Sequence, residues 1–256
     1  MTQVAAGAHL EGGPRVLAVL LVGYLVLGQP LLGAWSHDRF RRRRGADPRA
    51  LLGRYRRTAL VEWVLLALAL ALVGAAPGLD LADVGVRWPG LAAGHAPYTV
   101  VGAAGLVLTA ALLVALRRRV DRGTAITAPP EVLMLLPRTV PERRAFAGVA
   151  VTAAVCEETL YRGVLLGLVG ALRPGLAVGW LALLSAAVFG LAHAYQGRLG
   201  MLGTVVLGGC LAVLYLGSAS LLLPVLYHLL VDLRVLVLAV GQRRPGRHSA
   251  RGRGRA

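Results

Sequence analysis

Seven long apolar stretches run along the chain, separated by short polar or basic segments. They cover approximately residues 16–35, 59–76, 98–116, 144–171, 175–194, 199–216 and 220–240. A helix needs about 20 mostly apolar residues to cross a bilayer, and each stretch comes near that length. The pattern predicts an all-α fold, a polytopic transmembrane helical bundle of about seven spans, with residues 1–256 forming a single integral membrane domain.

The composition excludes an ordinary water-soluble domain. Hydrophobic residues make up 57% of the 256 residues, the mean hydropathy is +0.67, and only 16% of residues are charged, whereas soluble domains carry about 25% charged residues. The first stretch is longer than the apolar core of about 7–15 residues in a signal peptide, and no convincing cleavage site follows it. We therefore expect it to be a membrane helix.

The distribution of basic residues predicts the orientation. All 28 basic residues are arginines and the net charge is +16. Segments 36–58 and 117–144 hold nine and seven of them, and six follow residue 241. Arginine-rich segments stay on the cytoplasmic side, so we expect the amino terminus outside and the carboxyl terminus in the cytoplasm of a multi-pass protein of the cell membrane.

The carboxyl-terminal segment 242–256 is basic and lacks apolar residues that could form a core. We expect a disordered tail that lies against anionic lipid. Nucleic-acid binding is not expected, because no aromatic residues are interleaved with these arginines.

Three of the predicted spans contain polar residues within their apolar segments, where burial in the bilayer is energetically unfavourable. A charge at the bilayer centre costs about 2.5–3.5 kcal/mol on insertion scales, so such residues need a partner, water or a function. They are Glu157, Glu158 and Arg162 in the fourth span, His193 in the fifth, and His228 and Asp232 in the seventh. Glu62 stands at the start of the second span beside Trp63, and we expect it to be an interface residue.

Helical spacing suggests roles for the residues of the fourth span. Glu158 and Arg162 are four residues apart, in the order that favours an ion pair. Glu157 is five residues from Arg162, roughly 140° around the helix axis, so it points along another face. A carboxylate without that partner is a candidate general base.

The same spacing links residues of the fifth and seventh spans. His228 and Asp232 are four residues apart, so the carboxylate could hold one imidazole nitrogen and orient the other. Phe189 and His193 share a face, with the aromatic ring as a wall beside the imidazole. These polar groups could simply join the helices by hydrogen bonds. Six of them on three helices, with a single cation, favour a functional cluster.

Three short motifs carry a resemblance to a known family. They are EExxxR at Glu157–Arg162, FxxxH at Phe189–His193, and the four-residue spacing of His228 and Asp232. Their order and placement resemble the CPBP intramembrane endopeptidases, which include type II CAAX prenyl proteases and bacteriocin-processing and lysostaphin-resistance-like proteins. The resemblance covers about residues 140–240, which would be the protease-like core.

The resemblance implies an endopeptidase that hydrolyses a peptide bond of a membrane-associated protein or peptide in a bacterial plasma membrane. Glu157 would activate a water with help from His193, and Glu158 and Arg162 would support them. His228 and position 232 would stabilise the oxyanion. Many members have asparagine where this chain has Asp232, so here the carboxyl must be protonated, orient His228 or bind a cation.

Metal dependence stays open at this point. Members of the family are usually labelled metalloproteases, and Glu157, His193 and His228 could form a His2Glu set for zinc. The same residues suffice for a metal-free mechanism in which Glu157 is the base, and Glu157 cannot act as a ligand and as a free base together. We favour a site without a tightly bound metal.

Two functions from other classes also fit the pattern. One is a non-catalytic membrane immunity or scaffold protein that retains the polar cluster. The other is a proton-coupled transporter, since transporters also bury carboxylates. The chain shows no duplicated halves of the kind common in transporters.

Overall fold

The computed structural model describes residues 10–123 and 130–241. Within these ranges the chain forms seven long helices, a helical turn at Pro130–Leu133 and a 3₁₀ turn at Ala194–Gln196, with no strand. The long helices are α1 (Gly12–Arg44), α2 (Ala50–Ala75), α3 (Ala96–Asp121), α4 (140–172), α5 (Val178–Ala192), α6 (Gly197–Ser218) and α7 (Leu222–Gly241). The predicted all-α bundle is confirmed, and the predicted basic tail 242–256 lies outside the described residues.

Five of the seven helices, α1, α2, α3, α6 and α7, are long and apolar enough to cross a membrane. Helix α5 is apolar but has only 15 residues, and α4 carries the charged residues of the first motif. Large apolar side chains such as Leu31, Val101 and Leu199 are exposed on the outside of the bundle. Charged side chains are buried inside it, an arrangement suited to lipid rather than water.

The helices at the basic end are longer than the apolar pattern predicts. Helix α1 continues to Arg44 and α2 begins at Ala50, so only residues 45–49 separate them. Arginines in the last turn of a helix complement its dipole, and their long side chains can reach water from a helical backbone. The segment 36–58 is therefore mostly helix rather than loop.

Helix α4 lies between α2 on one side and α7 on the other, while α5 and α6 form a close pair beside it. Gly190 permits the close contact of α5 with α6, because a Cβ atom there would lie 2.2 Å from Cγ2 of Val205. Helix α3 packs at the edge of the bundle against α6 and α7. Helix α4 thus contacts both of the other helices that carry the motifs, α5 and α7.

A hydrogen-bonded cap fixes the start of α4. The Thr139 hydroxyl accepts a hydrogen bond from the Glu142 backbone, and the Glu142 carboxylate accepts from the Thr139 and Arg138 backbone at 2.9 and 2.6 Å. Arg44 lies 3.9 Å from the same carboxylate. Burial opposes ionisation of Glu142, but the two backbone donors and Arg44 hold its pKa below the usual value. This capping box places the first residue of α4.

Helix α4 is not uniform. Residues Thr159–Val164 form a π-helical turn that follows Glu158 directly and separates the helical parts Val140–Glu158 and Leu165–Leu172. Such wide turns within α-helices are frequent at functional sites. Gly163 in this turn packs against the carbonyl of Val84 in the segment between α2 and α3, where a Cβ atom would lie 2.5 Å from that oxygen.

Candidate active site

The bundle brings the seven residues predicted from the motifs into one cluster. Phe189 on α5 lies at its centre: its ring is 4.1 Å from Cζ of Arg162, and its centroid is 4.7 Å from that of His193 and 5.8 Å from that of His228. Glu157 and Glu158 on α4 and Asp232 on α7 complete the set through contacts with these histidines. Three helices therefore contribute to one polar site inside an apolar bundle.

The innermost part of the cluster is a fully buried ion pair. Arg162 Nη1 donates to Glu158 Oε1 at 2.7 Å, and both side chains are 0% exposed. The guanidinium also donates through Nη2 to the carbonyl of Gly208 on α6 at 3.3 Å and stacks on Phe189. A charge buried this deeply needs such partners, because desolvation of an unpaired ion is strongly unfavourable.

Glu158 also orients His228, a role that the four-residue spacing suggested for Asp232. His228 Nδ1 donates to the same Glu158 Oε1 at 2.8 Å, whereas Asp232 Oδ2 lies 3.7 Å from Nε2, too far for a hydrogen bond. A carboxylate that holds one imidazole nitrogen fixes the direction of the other. His228 Nε2 is thereby directed away from the ion pair and toward Asp232.

Glu157 faces a different partner from its neighbour Glu158. Its Oε2 lies 3.8 Å from His193 Nε2, and this oxygen is buried with no hydrogen-bond partner in residues 10–123 and 130–241. His193 Nδ1 donates to the carbonyl of Phe189 at 2.8 Å, so in the neutral ring Nε2 carries the lone pair. Two atoms 3.8 Å apart can both be hydrogen-bonded at about 2.8 Å to a single water oxygen between them.

A further acidic residue, Glu62 on α2, lies beside this pair and is absent from the predicted site. Its side chain is 7% exposed, and its carboxyl is within hydrogen-bonding reach of the carboxyl of Glu157. The neighbouring Trp63 donates through its indole N–H to Oγ1 of Thr152 on α4 at 3.1 Å. Glu62 is therefore not an interface residue; its position within an apolar run was the signal that could have identified it.

The donor atoms do not form a metal site. In residues 10–123 and 130–241 no group of three or more His, Cys, Asp or Glu side chains could hold a metal ion. His228 Nδ1 is engaged by Glu158, and Glu157, His193 and His228 do not converge on one point as a His2Glu set requires. The arrangement fits poorly with the zinc alternative.

The comparisons with known proteins agree with the resemblance carried by the motifs. Residues 141–234 match the family model described as type II CAAX prenyl endopeptidase Rce1-like, consistent with the CPBP resemblance. No curated protein and no solved structure matches the chain. At the level of the family, the match supports a protease-type enzyme, and together with the five candidate spans it indicates a membrane protein. The match covers a little over a third of the chain, and this segment is similar to the Rce1-like type II CAAX prenyl endopeptidases.

Proposed function

We propose that this chain is an intramembrane endopeptidase that hydrolyses a peptide bond of a membrane-associated protein or peptide by means of a water activated by Glu157. The observation that carries the proposal is the facing pair of Glu157 Oε2 and His193 Nε2, 3.8 Å apart. Both groups are mostly buried, and the glutamate oxygen lacks a protein hydrogen-bond partner. An acceptor pair of this kind binds both hydrogens of one water and leaves its oxygen lone pair free for attack.

The first step forms a bond between the water oxygen and the carbonyl carbon of the substrate. Glu157 takes one water proton, while His193 Nε2 accepts a hydrogen bond from the other O–H. The tetrahedral intermediate then collapses, the C–N bond breaks, and the amine nitrogen receives the proton from Glu157. The products are a carboxyl terminus and an amine, so water is the sole co-reactant.

His228 is placed to stabilise the oxyanion of the intermediate. Because Glu158 accepts a hydrogen bond from Nδ1, His228 can donate to an oxyanion only when Nε2 carries a second proton, and the Glu158 carboxylate supplies a compensating negative charge. Asp232 can help only when its carboxyl is protonated, since an ionised carboxylate would repel the oxyanion. Its side chain is 30% exposed, more than those of Glu157, Glu158 and His228.

The proposed setting is a bacterial plasma membrane, with the amino terminus outside and the carboxyl terminus in the cytoplasm. The arginine-rich end of α1 and the loop before α2 support this orientation. The end of α5, where His193 lies, is at the same end of the bundle, because Arg54 of α2 lies over the ring of Tyr195 at 5.6 Å. Substrates would then reach the site from the cytoplasmic leaflet.

The test is a cleavage assay in liposomes that compares the wild-type protein with Glu157→Gln. Glutamine keeps the shape of the side chain but cannot take a proton from water, so we expect a loss of at least about 10²-fold in turnover. Glu11→Gln is the matched control, because Glu11 is exposed at the end of α1 and makes no cap hydrogen bond. Full activity of a folded Glu157→Gln protein would refute the proposal.

The same variants separate the enzyme from the other function classes. A scaffold or immunity protein would retain its biological phenotype when Glu157, His193 and His228 are replaced one at a time. A transporter would show substrate-dependent proton flux and no cleaved product. Metal analysis of the active, purified protein checks the metal-free mechanism, and stoichiometric zinc bound at the site would contradict it.

A further inference from the structure

Glu62 forms a carboxyl pair with Glu157 that neither the three motifs nor the matched segment 141–234 includes. The two residues come from different helices and are 7% and 8% exposed, and the Oε2 atom of each has no hydrogen-bond partner within the described part of the chain. The charged groups that face Glu62 are the carboxyls of Glu157 and Asp232, and no cation is paired with it among the described residues. These charged neighbours of Glu62 are therefore both acidic.

Two carboxyl groups at hydrogen-bonding distance hold one proton between them, because two adjacent anions repel each other and a hydrogen bond requires a donor. One member of such a pair is the donor and the other is the anion that accepts. The same arrangement of two carboxyls sharing a proton serves aspartic proteases. In this chain the two members have different surroundings, and those surroundings distinguish their roles.

The surroundings assign the base role to Glu157. Glu157 faces His193 Nε2 on its other side, so its carboxylate can bind a water between itself and the imidazole. Glu62 Oε2 has no hydrogen-bond partner among the described residues. Its backbone is fixed against α4 by the hydrogen bond of the adjacent Trp63 to Thr152, so its carboxyl is held in place at Glu157.

We infer that Glu62 is a positioning residue: its protonated carboxyl donates a hydrogen bond to the Glu157 carboxylate and holds that carboxylate toward His193. This inference rests on the proposed function, because it assigns a task within the same site. The catalytic base remains Glu157. Helix α2, outside the family match, would then supply a part of the active site.

The experiment compares Glu62→Gln with Glu62→Leu in the liposome cleavage assay, with Glu157→Gln alongside. The glutamine amide can donate the same hydrogen bond as a protonated glutamate, whereas leucine has nearly the same size and no donor. We expect Glu62→Gln to keep turnover close to the wild-type value. We expect Glu62→Leu to lose about 10²-fold in kcat with little change in KM, because the base would be free to turn away from the water.

The readouts distinguish a positioning role from a purely structural one. Thermal unfolding of both Glu62 variants shows whether the protein remains folded, and a merely structural role would lower stability without separating kcat from KM. Rescue by glutamine but not by leucine supports the inference. Equal losses in the two variants, or full activity of Glu62→Leu, would overturn it.

The outcome for Glu157→Gln keeps this inference separate from the proposed function. If Glu157→Gln is inactive and both Glu62 variants are active, the proposed function stands and the positioning role is wrong. If Glu62→Gln is inactive and Glu157→Gln is active, the roles of the two carboxyls are reversed and both assignments fail.

Discussion

Replacement of Arg162 by leucine is the most severe single perturbation that the structure suggests. The guanidinium is 0% exposed, donates to Glu158 at 2.7 Å and to the Gly208 carbonyl at 3.3 Å, and lies over the Phe189 ring. Among the residues that the structure describes, its removal leaves the buried Glu158 carboxylate with His228 as its remaining partner. Breaking a buried pair from one side costs about 3–5 kcal/mol, which corresponds to an increase of roughly 10²- to 10⁴-fold in the unfolded fraction.

Cys156 provides an internal reporter for this measurement. It is 0% exposed and lies in α4 beside the glutamates, whereas Cys210 is exposed. In a Cys210→Ala background, a thiol-reactive dye added during a thermal ramp in detergent labels Cys156 only when the bundle opens. Arg198→Leu is the matched control, because Arg198 is exposed and we expect its replacement to leave the labelling temperature unchanged.

A double-mutant cycle tests the physical reason. If the penalty of Arg162→Leu comes from the uncompensated carboxylate, then Glu158→Leu combined with Arg162→Leu should cost less than the sum of the two single substitutions. Additive losses would show that lost packing dominates. A labelling temperature of Arg162→Leu equal to that of the wild type would refute the reasoning altogether.

Two further predictions concern the packing and the capping of the helices. Gly190→Ala should lower stability by about 1–3 kcal/mol through overpacking against Val205. Adding Val205→Ala to the same chain should restore part of the lost stability. If the double variant is no more stable than Gly190→Ala, the contact with Val205 is not the cause. Glu142→Gln should cost about 0.5–2 kcal/mol near neutral pH by weakening the cap. Because the pKa of Glu142 is lowered in the folded protein, its contribution to stability is present above the usual glutamate pKa and is lost as the pH falls through the folded pKa. The stabilities of the wild type and Glu142→Gln should therefore converge in acid. A stability difference that does not depend on pH would contradict this.

The fold could be predicted largely from the sequence, since seven apolar stretches correspond to seven helices in the same order. The ends of the helices could not be predicted in this way. The arginines that follow the first apolar stretch are helical, and a pattern of apolar residues does not include them. The length of α5 was also not predicted, since the stretch was expected to cover 175–194 and the helix covers only Val178–Ala192.

The site was predictable where its contacts run along one helix. The pairing of Glu158 with Arg162 follows from their spacing of four residues, and so does the separate direction of Glu157. The bond from His228 to Glu158 and the contact of Glu62 with Glu157 join different helices. No spacing in the sequence encodes such contacts, so they emerge only when the helices are packed.

The π turn in α4 lets one helix satisfy two sets of neighbours. Its first half presents the glutamates to α2, α5 and α7, and its second half buries Leu165, Leu166 and Leu168 in the core. A π turn holds about one more residue than an α turn, so in a regular helix the second half would be rotated by about 100° relative to the first. Residues 156–168 are all buried, so those leucines would stay inside the bundle but would face neighbours different from the ones they contact here.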